Sequence, residues 1–107
     1  MAEPFDTISL DEVIVNTEPQ TLVKLSGPVA ELNIVLSEEE IEAVRELASR
    51  VEGTVTAGSS AGSRTHWVLA EEGCHILIGE DQWTWDIGFL CSLDLLVSLK
   101  EQLAQPS

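Results

Sequence analysis

The chain has no tyrosine, one methionine, two phenylalanines, two cysteines and only five lysine or arginine residues among 107. Each shortage excludes something. Five bases against 19 acids leave a net charge of −14 at pH 7. A surface of that sign repels nucleic-acid phosphates and anionic membranes, so neither is expected as a partner. Two cysteines, Cys74 and Cys91, are too few for a secreted disulfide scaffold and are expected to stay reduced. The spacings C-x-x-C and H-x-x-x-H do not occur, so neither a metal nor another cofactor is expected. The N-terminus lacks the basic start and apolar run of a signal peptide, and no apolar stretch reaches membrane-spanning length. A cytoplasmic location is the resulting expectation.

What is present is ordinary globular material: 44% hydrophobic and 22% charged residues. A chain of this length buries roughly 65% of its unfolded surface, enough for one core. The whole of 1–107 therefore reads as one domain, with frayed ends at 1–6 and 105–107.

Residues 7–15 are rich in β-branched types and read as a strand, followed by a turn over 16–20. Runs at 21–26 and 29–36 read as two more strands, reversed at Gly27-Pro28. Ser37 before Glu38, Glu39 and Glu40 forms a capping box, and Ile41, Val44, Leu47, Ala48 and Val51 recur at helical spacing. A helix over 38–52, stopped by Gly53, follows. Residues 54–57 read as a short strand and 58–64 (GSSAGSR) as a mobile loop. Strands at 65–70, 74–79 and 83–90 form a meander with short turns, and a second helix is expected over 93–104. The fold class is α+β: a mainly antiparallel sheet of order β-β-β-α-β-β-β-β with a C-terminal helix, both helices on one face.

Few residues suggest chemistry. Gly58-Ser59-Ser60-Ala61-Gly62 spells a nucleophile elbow, with His66 nearby, but no parallel α/β sheet surrounds it. The stretch is no phosphate loop either, since Ser63-Arg64 stands where Lys and then Ser or Thr are needed. Ser60, Arg64, His66 and His75 are the residues a small-ligand or enzymatic site at this loop would use, with the two histidines on one outer sheet side. Asp81 and Asp86 are a candidate acid pair, although 19 acids make such pairs common.

Trp67, Trp83 and Trp85 cluster in the meander. Strand alternation puts Trp83, Trp85, Ile87 and Phe89 on one side. Facing the helices they are core; facing outward they form an aromatic interface. The negative charge is spread along the chain, with net −9 in the first 52 residues and −5 in the last 55. The leading expectation is a non-enzymatic interaction or regulatory module, either a homodimer or bound to a basic protein, using Trp67, Trp83, Trp85, Asp81 and Asp86. One alternative is an acidic, immunity-like inhibitor that presents Glu38, Glu39, Glu42 and Glu46 as a phosphate-like stripe. The other is the loop site.

Overall fold

The computed structural model describes residues 5–28, 31–81 and 83–104, without the side chains of Asp86 and Ala104. Its elements are β1 (Thr7–Val15), β2 (Glu18–Ser26), β3 (Glu31–Leu36), α1 (Glu38–Ala48), β4 (Gly53–Ser60), β5 (Ser63–Ala70), β6 (Gly73–Gly79), β7 (Trp85–Cys91) and α2 (Leu93–Ala104). The seven strands form one antiparallel sheet in chain order. This is the α+β architecture the hydrophobic pattern implies.

The sheet is strongly curved. Phe5, just before β1, packs on Phe89 of β7 with ring centroids 5.3 Å apart, although the two strands lie at opposite ends of the strand order. Both helices fill the concave side. α1 packs chiefly on β4, while α2 spans from β1 to β6, and the Gln102 side-chain amide donates to the Ile8 carbonyl at 3.1 Å. Alternation explains which residues meet them. Val23 and Leu25 of β2 stand opposite Ile34 and Leu32 of β3. Trp67 of β5 stands opposite Ile76 of β6. These pairs share a core with Val44 and Leu47 of α1 and Leu96 and Leu99 of α2.

Several boundaries move for local reasons. The turn at 16–20 shrinks to Asn16-Thr17, with φ of 51° and 67°. Positive φ at both positions twists a two-residue hairpin with its strands, so β2 begins at Glu18. α1 ends at Ala48 and not at 52: the Ser49 hydroxyl donates to the Arg45 carbonyl and the Ser49 N–H to the Glu46 carbonyl. Val51 is consequently exposed, and Gly53 opens β4 instead of closing the helix. The expected fraying at 1–6 fails at its end, where Phe5 is buried and the Asp6 N–H donates to the Ser26 carbonyl at 2.7 Å; residues 1–4, 29–30 and 105–107 lie outside the described residues. The capping box forms as the sequence implies. Ser37 Oγ accepts from Glu40 N–H at 3.3 Å, and Glu40 Oε1 accepts from Ser37 N–H at 2.9 Å.

Two features set stability beyond the core. Thr65 is fully buried on the concave side, and its hydroxyl has no hydrogen-bond partner among the described residues. Thr65→Val keeps the shape and removes an unsatisfied group, so it should raise unfolding free energy by about 1 kcal/mol in urea titration. The charge acts over longer range. Among the described residues the lysine and arginine ion pairs are Lys24–Glu31, Arg45–Glu42 and Arg50–Glu46, far short of 19 acids. Raising salt from about 0.05 M to about 0.5 M at neutral pH should therefore raise Tm by several degrees as self-repulsion is screened. A flat Tm would contradict this.

Candidate functional site

The glycine- and serine-rich stretch is not a loop. The register of β4 against β5 slips between Thr56 and Ser59, so Ala57 and Gly58 form a bulge. A bulge takes backbone groups out of the ladder, and two side chains receive them. Trp67 Nε1–H donates to the Ala57 carbonyl at 2.9 Å, and Gly58 N–H donates to Glu40 Oε2 at 2.7 Å. Burial pushes the Glu40 carboxyl up, but the hydrogen bonds from Ser37 and Gly58 outweigh it and hold the group below the usual glutamate range. Beyond the bulge, Ser60 pairs with Ser63 around Ala61 and Gly62, whose φ of 51° and 83° make another two-residue hairpin turn.

This geometry separates the four residues of the expected loop site. Ser60 is a strand-end residue. Arg64 is exposed at the rim of a shallow recess of about 420 Å³ shared with Gly79 and Glu80. His66 is buried although it lies on the convex face. Its Nε2 donates to the Gly79 carbonyl at 3.0 Å, and its Nδ1 shares a hydrogen bond with the Thr56 hydroxyl at 2.8 Å. His75 shares that face but stands opposite Val68, whereas His66 stands opposite Leu77. His75 bonds Glu72 at 2.8 Å and holds that carboxyl below its usual range. Their separation of three residues, Glu72-Gly73-Cys74-His75, was the sequence signal for this contact. The histidines are thus two separate ties, and nucleophile, base and cation do not converge.

The tryptophans also part company. Trp67 is fully buried, and its indole closes the β4 bulge; it is a core residue and no interface anchor. Trp83 is 81% exposed and Trp85 47%. Alternation fails here because β7 carries a bulge of its own. Ile78 stands opposite Ile87, but Gly79 stands opposite Trp85, so β7 holds one extra residue. Trp85 is turned to the convex face, while Ile87 and Phe89 stay on the concave one. Gly88 makes room for it: a Cβ there would sit 3.0 Å from Trp85 Cζ3 and 3.0 Å from Leu77 Cδ2. Ile87 is still 51% exposed, because α2 lies over β6 and β1 and leaves the start of β7 uncovered.

Asp81 organises the turn that carries Trp83. Its Oδ1 accepts from the Trp83 N–H at 2.8 Å and the Thr84 N–H at 2.7 Å. Those two bonds hold its carboxyl below the usual aspartate range, so the ionised, bonded form is present at neutral pH and is lost as pH falls through that lowered value. The Glu80 N–H closes the turn on the Thr84 carbonyl at 2.9 Å. Asp81 is therefore a structural acceptor. Its proposed acid partner Asp86 belongs to β7, and that side chain lies outside the described residues. The segment 80–86 holds three acids and no base.

Other candidates are weaker. On α1, Glu42 bonds Arg45 at 3.0 Å and Glu46 bonds Arg50 at 2.7 Å, which neutralises half of the phosphate-like stripe. An open groove of about 810 Å³ runs between β1, β2 and the helices, with Leu10, Ile41 and Leu103 beside Asp11, Glu12 and Glu38. Cys74 and Cys91 face each other across β6 and β7; burial, and then the neighbouring Cys91, push the Cys74 thiol up to about 12. Among the described residues, no three histidine, cysteine or carboxylate side chains gather as metal ligands, and no helix is long and apolar enough to cross a membrane. The chain matches no family model, no curated protein and no solved structure.

Proposed function

We propose that this protein is a non-enzymatic interaction module of the cytoplasm that binds a basic protein through Trp83, Trp85 and Ile87. The observation that carries this reading is the exposed indole of Trp83 on a turn whose backbone is tied down by Asp81. An indole in water forfeits the burial that makes tryptophan useful in a core. A fixed turn has already lost the entropy that binding would otherwise cost, so it presents the ring ready for a partner's pocket. Trp85 and Ile87 extend the apolar surface onto both faces of β7.

Charge selects the partner. The segment 80–86 that carries Trp83 and Trp85 holds Glu80, Asp81 and Asp86 and no base of its own, and the whole chain carries −14. Such a field speeds encounter with a basic surface and opposes association of two copies. Inhibition of a basic protein is one form this function can take, and it would use the same surface, since α1 has spent two of its acids on its own arginines.

The test is affinity capture from the native source at about 0.1 M and about 0.5 M salt, followed by purification and titration of whatever is held. A basic protein that binds one to one and survives the higher salt supports the reading. Folded bait that holds nothing, or holds only acidic proteins, overturns it.

A further inference from the structure

We infer that Cys74 and Cys91 are a modification site: a small-molecule disulfide converts the two thiols into a cross-strand disulfide that staples β7 and the start of α2 to β6. This goes beyond the interaction surface and stands without it. The chain holds two cysteines, and the fold makes them directly facing partners in the β6–β7 ladder.

The register supplies the geometry. Facing residues of an antiparallel pair have Cα atoms about 4.5 or 5.5 Å apart and side chains on the same face. A disulfide bridges Cα atoms about 4.4–6.8 Å apart, so the bond can form with the strands where they stand. Gly73 lets the strands approach closely here: a Cβ at that position would lie 2.6 Å from the Cys91 carbonyl oxygen. Both cysteines are thiols, and both are buried, at 0% and 1% exposure. The Cys74 thiol donates to the His75 carbonyl at 4.0 Å and the Cys91 thiol to the Ser92 carbonyl at 3.6 Å. Thiols are weak donors, so a disulfide gives up little by losing these bonds.

The position decides what the bond holds. Cys91 ends β7, and Ser92 after it caps α2 by accepting from the Leu95 N–H at 3.2 Å. The ring closed by the bond contains the turn of Trp83 and the strand of Trp85. Closing it removes open conformations of that segment. Burial pushes the Cys74 thiol up to about 12, which keeps the thiolate scarce while β7 is seated. Oxidation therefore proceeds through local opening of β7, and the product prevents further opening.

In the opened segment one thiolate attacks the oxidant's disulfide, forming a mixed disulfide and releasing one small thiol. The second cysteine loses its proton and attacks the mixed disulfide, which expels the second small thiol. Two electrons pass from the cysteines to the oxidant, and the two protons end on the released thiols.

The test exposes the native chain to oxidised glutathione and follows it by intact mass, peptide mapping and thermal unfolding. The expected product is monomeric, lacks two hydrogens, links Cys74 to Cys91 and retains no glutathione. It is expected to melt at least about 5 °C above the reduced form, a gain that dithiothreitol reverses. Cys91→Ala, compared before and after the same treatment, is expected to show no such gain. Glutathione retained on either cysteine, a disulfide between two chains, or an intramolecular bond that lowers Tm overturns the staple. So does a native chain that keeps both thiols for about a thousand times as long as the urea-unfolded chain takes to oxidise.

Discussion

Gly58→Ala should destabilise the fold by about 3 kcal/mol or more, because it adds backbone strain to a clash. The residue sits at φ +83°, and a Cβ there would lie 2.6 Å from Leu36 Cδ2, 2.7 Å from Ile34 Cγ2 and 2.9 Å from the Val35 carbonyl oxygen. Leu36 and Ile34 are fully buried and cannot swing away. Left-handed backbone alone costs a non-glycine residue about 1–2 kcal/mol, and an overpacked core adds about 1–3. Gly62 provides the control. It has the same φ of +83°, with no described atom within 4 Å of its Cβ position, so Gly62→Ala should cost only the strain, about 1 kcal/mol. Urea unfolding of both variants separates the two contributions. Equal losses would mean that the bulge does not press on β3 as described.

The same bulge gives α1 a pH dependence. The Glu40 carboxyl, held below its usual range by the N–H groups of Ser37 and Gly58, supports the folded state fully above the unfolded glutamate pKa. That support is lost as pH falls through the lower folded value. Stability should therefore fall more steeply below about pH 4 in the wild type than in Glu40→Gln, which keeps the acceptor oxygen but cannot titrate.

Replacing both exposed tryptophans, Trp83→Ala with Trp85→Ala, should weaken binding of the basic partner by at least about 30-fold, the equivalent of about 2 kcal/mol. Truncating aromatic anchors at the centre of an interface commonly has effects of this size. Trp83→Ala alone should leave folding stability within about 0.5 kcal/mol of wild type, because the side chain is 81% exposed. Trp85→Ala should cost somewhat more, since its ring covers Gly88 and Leu77. Salt distinguishes the contributions. Screening slows association steered by the acids, whereas the aromatic contacts govern dissociation and persist. Binding that vanishes in salt and ignores both substitutions would reduce the interaction to charge alone.

The fold was readable wherever the signal was local. Ser37 and Glu40 announce α1, and Ser92, which accepts from the Leu95 N–H at 3.2 Å, announces α2. Alternation in β2, β3, β5 and β6 identifies the inner face because these strands lie mid-sheet with helices over one side. The bulges were not readable. A single extra residue reverses which face each side chain meets, and what accommodates it is set by packing: the distant Glu40 and Trp67 for Gly58 and Ala57, and the missing side chain of Gly88 for Trp85. Small residues serve loops and tightly packed bulges equally well, so composition alone misplaced 58–64 as a loop. Burial of His66 on the convex face depends on the Gly79 carbonyl, thirteen residues away. The turn at 80–84 did carry a local sign, since aspartate two residues before a backbone N–H favours a turn. Its consequence, an indole fixed in water, required the three-dimensional arrangement.

The central claim is that the partner covers Trp83 and Trp85, and tryptophan emission during titration with the purified basic partner tests it directly. Trp67 is buried throughout and contributes a constant background. The account expects a saturable blue shift and loss of acrylamide quenching at stoichiometric partner, both absent in the double alanine variant. A complex that forms with unchanged emission and undiminished quenching, and that the double variant forms equally well, would contradict it.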